Sequence, residues 1–216
     1  MGHGAVTGVP ASREALRAIV FDLDGTLYQD ERLGEEVHQC ACRYVASLRG
    51  ISASEAGELL REVRSCTSEG AGTLSLGVVS LGGNLKELHR RFNLEVHPEG
   101  VLHPDPRVLG LLEKLSDCFE LHIYTNNNRA LSGRIMAELG VAGSFQGVFT
   151  IEDSWHPKPD RTALQGILDA IGRKPSETLF VGDRYQVDLQ LPASLGCAVF
   201  EVKSVEELLT LGELVG

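Results

Sequence analysis

Ala18-Ile19-Val20-Phe21-Asp22-Leu23-Asp24-Gly25-Thr26-Leu27 is the stretch whose reading decides the fold of this chain. Four apolar residues run straight into two aspartates two positions apart. A short apolar run that ends in turn residues reads as a buried strand of a parallel sheet. The strand is ending where the aspartates stand, so both belong to its carboxyl edge, where open α/β sheets bind ligands. Gly25 lets the backbone turn close to a ligand, and Thr26 adds a hydroxyl. Two carboxylates this close repel unless a cation or a shared proton holds them. The pair therefore asks for Mg²⁺ or for an acid/base role. A plain strand followed by an acidic turn is the competing reading, and the D-L-D-G-T-L context weighs against it.

Outward from this strand the pattern changes twice. Apolar residues at helical spacing (Val37, Cys40, Ala41, Tyr44, Val45, Leu48) predict a helix over 35–48 that stops at Gly50. Ser52 and Ser54 can cap a second helix over 55–64, residues 69–73 read as a flexible break, and 85–92 reads as a further helix. Nothing in 30–100 reads as a buried strand, so this block is a helical insertion. From Pro104 the pattern alternates. Helices over 106–115, 129–139, 162–171, 187–195 and 205–211 interleave with strands over 121–125, 147–150, 178–181 and 198–202. Strands alternating with helices make a doubly wound parallel sheet covered on both faces.

Composition narrows the function. The chain has 216 residues, 43% hydrophobic and 23% charged, with 20 basic and 30 acidic residues for a net charge of −10. No stretch concentrates Lys or Arg, which argues against a nucleic-acid polymer as partner. A small anionic substrate stays compatible, because a local cation can reverse the sign of a site. No apolar run approaches about 18 residues, so no membrane span is expected. Residues 1–5 lack a basic region followed by an apolar core, so no signal peptide is expected. Five scattered cysteines (Cys40, Cys42, Cys66, Cys118, Cys197) fit a reducing compartment and a cytoplasmic protein. His38, Cys40 and Cys42 do not converge on one helix face, so they read as packing residues rather than a zinc site. The oligomeric state is left open by the sequence.

Three more features fall at strand ends. Thr125-Asn126 closes the second strand just before a helix, which suits an anion cradle, although it is also ordinary cap chemistry. Lys158 stands between Pro157 and Pro159 in the loop after the third strand, where prolines stiffen it. Gly182-Asp183 and Asp188 follow the fourth strand and add two carboxylates. One sheet edge would thus carry four carboxylates, a hydroxyl, an amide and a lysine. That set suits a Mg²⁺ ion beside a phosphate, because magnesium takes a few carboxylate oxygens plus phosphate oxygens. Phosphoryl transfer needs in-line positioning and neutralised equatorial oxygens, which such groups can supply.

The ordered set Asp22-Leu23-Asp24-Gly25-Thr26, Thr125-Asn126, Lys158-Pro159, and Gly182-Asp183 with Asp188 resembles the four motifs of the haloacid dehalogenase superfamily. The resemblance spans about residues 18–202. It implies a Rossmann-like doubly wound α/β core, residues 1–29 and 101–216, with an inserted helical cap, residues 30–100. Within the superfamily Thr26-Leu27-Tyr28, Tyr44-Val45-Ala46, Gly72-Thr73-Leu74, Leu102-His103-Pro104-Asp105-Pro106 and Tyr124-Thr125-Asn126 are similar to the pyrimidine 5′-nucleotidase branch. That branch usually has Asn where this chain has Gly25.

The resemblance implies roles. Asp22 is expected to be the nucleophile that becomes an aspartyl-phosphate, and Asp24 the acid that protonates the leaving oxygen and then the base for water. Mg²⁺ is expected on the Asp22 carboxylate, the Asp24 main-chain carbonyl and Asp183. Thr125 and Asn126 would bind phosphate oxygens, and Lys158 would neutralise Asp22 and the phosphate. Asp188 would hold either a metal-bound water or Lys158. The expected activity is Mg²⁺-dependent hydrolysis of a small phosphorylated metabolite, with a pyrimidine nucleoside 5′-monophosphate first and a phosphoglycolate-type phosphatase or sugar phosphomutase next. Cleaving a carbon–halogen bond needs no proton donor, so Asp24 disfavours dehalogenation. A lid over the site would exclude water, with Tyr28, Thr73 and Ser75 as residues that could choose the substrate. The readings from another class are a receiver-type signalling domain, which lacks D-x-D-G-T and the insertion, and a catalytically inactive binding protein of the same fold.

Overall fold

In the computed structural model, which describes residues 15–66 and 72–214, strand β1 (Ala18–Phe21) is buried along its whole length. Four further strands join it: β2 (Glu120–Tyr124), β3 (Gly147–Phe149), β4 (Thr178–Gly182) and β5 (Ala198–Glu201). Their order is β3-β2-β1-β4-β5 and every pairing is parallel. The parallel sheet that the apolar strands predicted is therefore present, with β1 at its centre. Phe21 lies opposite both Ile123 and Val181, so β1, β2 and β4 reach their carboxyl ends side by side.

Period-two alternation splits the core between the two faces of the sheet. Ile19, Phe21, Leu121, Ile123, Leu179 and Val181 face one large apolar cluster. Val20, Tyr124, Phe180 and Val199 face a second cluster with Leu164, Ile167 and Leu168. The first cluster continues into the helices between β1 and β2: α1 (Glu31–Arg49), α2 (Ala53–Ser65), α3 (Leu74–Ser80) and α4 (Leu85–Glu95). Among the described residues this block contains no strand. Among the described residues five more α-helices follow: α5 (Pro106–Ser116), α6 (Arg129–Glu138), α7 (Arg161–Ile171), α8 (Gln190–Ser194) and α9 (Val205–Leu209).

Local chemistry explains the boundaries. Asp30 accepts from the Arg32 and Leu33 main-chain N–H groups and starts α1, which Gly50 ends in the left-handed conformation. Ser52 and Glu55 form a reciprocal capping box on α2. Pro106 opens α5 behind the Asp105 cap, and Asn128 and Asp160 cap α6 and α7.

Two elements depart from the sequence reading. Helix α3 was not anticipated, because Leu74-Ser75-Leu76-Gly77-Val78-Val79-Ser80 has weak helix propensity. Packing on α2 overrides it. A Cβ at Gly77 would lie 3.1 Å from Arg64 Cγ and 3.4 Å from Leu60 Cδ2, so only a small residue allows the two helices this close. The Thr73 hydroxyl caps α3 by accepting from the Leu76 N–H at 3.3 Å. The predicted break over 69–73 falls largely on residues 67–71, outside the described residues. The helix expected over 187–195 is entered through a π turn, Tyr185–Leu189, before α8. Pro192 has no N–H to give, so a regular helix cannot run through this stretch.

Leu112 on α5 is fully buried in the larger cluster. Leu112→Ala should lower unfolding free energy by about 3 kcal/mol through lost transfer energy and a cavity. Urea denaturation checks this; a loss under about 1 kcal/mol would mean that α5 is not part of the core.

Candidate active site

The loops at the carboxyl ends of β1, β2 and β4 converge on one ammonium. Lys158 is 2% exposed. Its Nζ donates to Asp22 Oδ1 at 2.6 Å, to Asp188 Oδ1 at 2.6 Å and to the Tyr124 carbonyl at 3.0 Å. All three N–H bonds of the ammonium are thereby used. The same Nζ lies 4.9 Å from the centre of the Tyr124 ring, within cation–π reach. Asn126 fixes the lysine loop from below, with its Oδ1 accepting the Lys158 main-chain N–H at 2.8 Å. Its Nδ2 is buried with no hydrogen-bond partner among the described residues.

Asp22 is the first residue past β1, and its main-chain N–H continues the ladder to the Val181 carbonyl at 2.8 Å. Asp22 Oδ2 accepts the Thr26 hydroxyl at 3.3 Å. Asp24 sits in a different pocket of donors. Its Oδ1 accepts the Tyr28 hydroxyl at 2.5 Å, and its Oδ2 accepts Asn127 Nδ2 at 2.7 Å and the Thr125 hydroxyl at 3.4 Å. Asp188 is locked from both sides: its Oδ2 accepts the Arg184 N–H at 3.2 Å, and its own N–H donates to the Arg184 carbonyl at 2.8 Å.

Asp183 completes the cluster. Oxygens of Asp22, Asp183 and Asp188 all lie within 4.8 Å of one another. Asp183 Oδ1 is buried and has no hydrogen-bond donor among the described residues. Two glycines make room for this crowding. Gly25 has φ +84°, and a Cβ there would fall 2.7 Å from Asp183 Oδ2. A Cβ at Gly182 would fall 2.5 Å from Asp188 Cβ.

Charge explains the proton affinities. Burial pushes the Asp22 carboxyl up to about 7; Lys158 opposes the rise, while Asp188 and Asp24 add to it. Burial also raises Asp24, against the Tyr28 hydrogen bond and the Lys158 charge. Burial raises Asp183, and Asp188 adds to the effect. Burial would lower the Lys158 ammonium, but Asp188 and Asp22 outweigh it and hold the group cationic. Burial is thus the leading cause of the rise on all three acids, while on the lysine the neighbouring carboxylates overcome it. Burial and the Asp24 carboxylate keep the Tyr28 phenol protonated, so it stays a donor.

All seven residues singled out from the motifs, Asp22, Asp24, Thr125, Asn126, Lys158, Asp183 and Asp188, are thus brought to one sheet edge. The Asp24 carboxylate stays outside the acidic cluster, because its oxygens are held by Tyr28, Asn127 and Thr125. Asn127 was missed in the sequence reading, although the run Asn126-Asn127-Asn128 offered a signal. Tyr28, Thr73 and Ser75, expected as residues that could choose the substrate, all line the cavity beside the cluster, with the Tyr28 hydroxyl donating to Asp24 and the Thr73 hydroxyl capping α3. Beside the cluster opens a cavity of about 390 Å³, bounded by Asp24, Asn127 and Arg184 from the sheet edge and by Leu33, Arg64 and Phe92 from the helical block. Among the described residues no helix is long and apolar enough to cross a membrane.

Comparison with known proteins agrees with this geometry. A family model described as haloacid dehalogenase-like hydrolase matches residues 16–196. Pyrophosphatase PpaX of Bacillus velezensis is 33% identical over 98 residues, 45% of this chain; the chain spans less than half that relative's length, 45%. A glyceraldehyde 3-phosphate phosphatase of Methanopyrus kandleri is 25% identical over 81% of this chain and 78% of its own. A phosphoglycolate phosphatase of Pectobacterium atrosepticum is 26% identical over 87% of this chain and 80% of its own. Among solved structures, a HAD phosphatase from Thermococcus onnurineus shares the fold with a TM-score of 0.59 at 22% identity, covering 91% of this chain and 97% of that one. On the strength of the family match along most of its length, this chain belongs to the haloacid dehalogenase-like hydrolase family.

Proposed function

We propose that this protein is a Mg²⁺-dependent phosphomonoesterase that forms an aspartyl-phosphate on Asp22 and acts on a small phosphorylated metabolite. The observation that carries the reading is the pairing of two unlike carboxylates. Asp22 is gripped by Lys158 within an acidic cluster, while Asp24 is held apart by Tyr28 and Asn127 at the mouth of the cavity. One carboxylate is placed to attack and the other to move a proton.

The donor set fits the cation. Asp22, Asp183 and Asp188 offer only oxygen, within 4.8 Å of one another, and Asp183 carries a buried oxygen, Oδ1, with no hydrogen-bond partner among the described residues. Asp22 and Asp183, with the Asp24 main-chain carbonyl, would hold Mg²⁺, which when bound supplies charge neutralisation between carboxylate and phosphate. Asp188 holds Lys158. The remaining steps belong to the chain. An Asp22 oxygen attacks phosphorus, and the ester oxygen leaves with a proton from Asp24. Water then attacks the phosphorus of the aspartyl-phosphate and gives its proton back to Asp24, so phosphate leaves and Asp22 is restored. Asn126 Nδ2 and the Thr125 hydroxyl donate to phosphate oxygens, and Lys158 neutralises their charge. Residues 30–100 serve as a cap over residues 1–29 and 101–216, excluding water from the cavity.

The narrower substrate reading, a pyrimidine nucleoside 5′-monophosphate, rests on the motif resemblance around Tyr28, Thr73 and residues 102–106. A phosphoglycolate-type substrate is favoured by a specific observation, the two arginines Arg64 and Arg184 that line the cavity.

Release of phosphate from p-nitrophenyl phosphate should require Mg²⁺ and stop with EDTA; activity undiminished after full chelation would remove the metal from the reading. Asp22→Asn should abolish turnover. Asp24→Asn should slow alkyl phosphates at least tenfold more than p-nitrophenyl phosphate, whose phenolate leaves with little help, and equal losses would take Asp24 out of the acid role. Stability without metal should follow the charge count. Lys158→Met leaves two buried carboxylates unbalanced and should cost about 3–5 kcal/mol at neutral pH. Asp188→Asn keeps the Lys158–Asp22 pair and should cost clearly less. Urea denaturation in EDTA reads both, and the reverse order would contradict the assignment of Lys158 as the counter-charge of the cluster.

A further inference from the structure

Trp155 is the only tryptophan of the chain, and it stands three residues before Lys158. Its φ is +56°, the one positive value on a residue other than glycine among the described residues. A bulky residue in that region costs energy and persists only where its surroundings hold it. Its main-chain N–H donates to the Ile151 carbonyl at 2.6 Å. Its ring is held from α4, in the helical block. The His89 ring packs against it with centroids 6.2 Å apart and planes at 64°, and Lys86 Nζ lies 5.4 Å from its centre.

His89 is an unusual residue for this place. It is 2% exposed, and neither ring nitrogen has a hydrogen-bond partner among the described residues. Burial pushes its pKa down to about 4, so the ring is neutral at ordinary pH. Buried polar atoms are normally paired, and an unpaired ring calls for a reason. Its neighbours supply one. The Phe92 ring, three residues further along α4, packs perpendicular to His89 with centroids 5.2 Å apart. Phe92 also lines the cavity beside Asp24. A continuous line of rings, Phe92, His89 and Trp155, thus runs from that cavity to the lysine loop.

Both ends of the line are fixed. Asn128 Nδ2 donates to the His89 carbonyl at 2.9 Å, and Arg134 donates to the Asn93 and Val96 carbonyls at 3.0 and 2.6 Å, which seats α4 against α6. Only His156 and Pro157 stand between Trp155 and Lys158. A proline fixes its own φ and restricts the residue before it, so this link is stiff. Beside the stack a cavity of about 400 Å³ opens between α4 and the core, with Arg90 and Asn93 on one side and Ala130 and Glu152 on the other. The rings bridge a gap in this interface.

We infer that Trp155 is a positioning residue for Lys158: the Phe92–His89–Trp155 stack ties the lysine loop to α4, so the ammonium stands in its catalytic place only while α4 is seated on the core. The inference rests on the phosphatase reading, in which Lys158 supports the phosphate, and goes beyond it by making the helical block part of that support. Neither His89 nor Trp155 lines the cavity beside Asp24, so they act through the loop and not on the substrate.

The test combines hydrolysis of p-nitrophenyl phosphate at saturating Mg²⁺ with the emission of the single tryptophan. Trp155→Asn removes the ring and leaves a residue that tolerates left-handed backbone. His89→Ala opens the stack and leaves the tryptophan in place. Each should lower kcat about tenfold with KM changed by less than about threefold, whereas Trp155→Phe and His89→Phe, which keep a ring, should stay within about threefold of the wild-type kcat. His89→Ala should also shift the Trp155 emission to the red and open the ring to quenching by acrylamide. Thermal unfolding places the assay temperature below the transition of each variant, where a merely structural role would leave kcat intact. An unchanged kcat in the folded Trp155→Asn and His89→Ala variants, or a loss that the phenylalanine variants share, would overturn the inference and leave the phosphatase reading standing. The wild-type protein tests the stack even if a variant does not fold: acrylamide should quench Trp155 well below free N-acetyltryptophanamide, and equal quenching would overturn the inference. No hydrolysis by the wild-type protein would overturn both readings.

Discussion

Lys158 Nζ is the single group on which the geometry of the sheet edge depends. Its three hydrogen bonds reach the end of β1 through Asp22, the end of β2 through the Tyr124 carbonyl, and the segment after β4 through Asp188. A buried ammonium is costly unless it is paired and fully hydrogen-bonded, and here it is both. Because the three partners belong to three different segments of the chain, none can shift without leaving a buried charge or donor unsatisfied. That constraint places Asp22 beside Asp183 and Asp188 and keeps the acidic cluster from flying apart.

The same constraint makes the cluster incomplete. One positive charge faces several buried carboxylates, and burial, with Asp188 and Asp24 adding to it, lifts the Asp22 carboxyl to about 7 against the pull of Lys158. Gly25 and Gly182 bring the carboxylates closer than any side chain at those positions would allow. A fold that only needed a stable sheet edge would gain by replacing such a group with apolar residues. The crowding therefore points to chemistry, and it is the reason a hard cation is proposed for this cluster. Asp24 escapes the crowding through Tyr28 and Asn127, so two aspartates separated by one residue sit in different environments.

Much of this was legible in the sequence. The apolar runs located the five strands to within a residue or two, and the alternation with helices implied the parallel sheet. Its strand order follows from pairing and was not contained in the pattern. Seven candidate site residues could be named because each stands at the end of a strand or in the segment that follows it, where the backbone turns and side chains become available. Helix α3 was not legible, since its glycine and β-branched residues make a helix only when packed against α2. The π turn before α8 was not legible either, because Pro192 marks an irregularity without saying which one. Asn127 escaped notice because it is a polar residue in a loop and its partner, Asp24, is 103 residues away.

The boundary between the two kinds of information follows the range of the forces involved. Sequence by itself determined the five strands, most of the helices, and which carboxylates, hydroxyl and lysine stand at strand ends or in the loops that follow them. Those features rest on hydrophobic period, capping and turn chemistry, which act between near neighbours. Tertiary structure alone decided which carboxylates share Lys158, that Tyr28 and Asn127 hold Asp24, that Asp183 keeps an unpartnered oxygen, and that Arg64 faces Arg184 across one cavity. These depend on distances of a few ångströms between residues far apart in the chain, and only the packed core sets such distances.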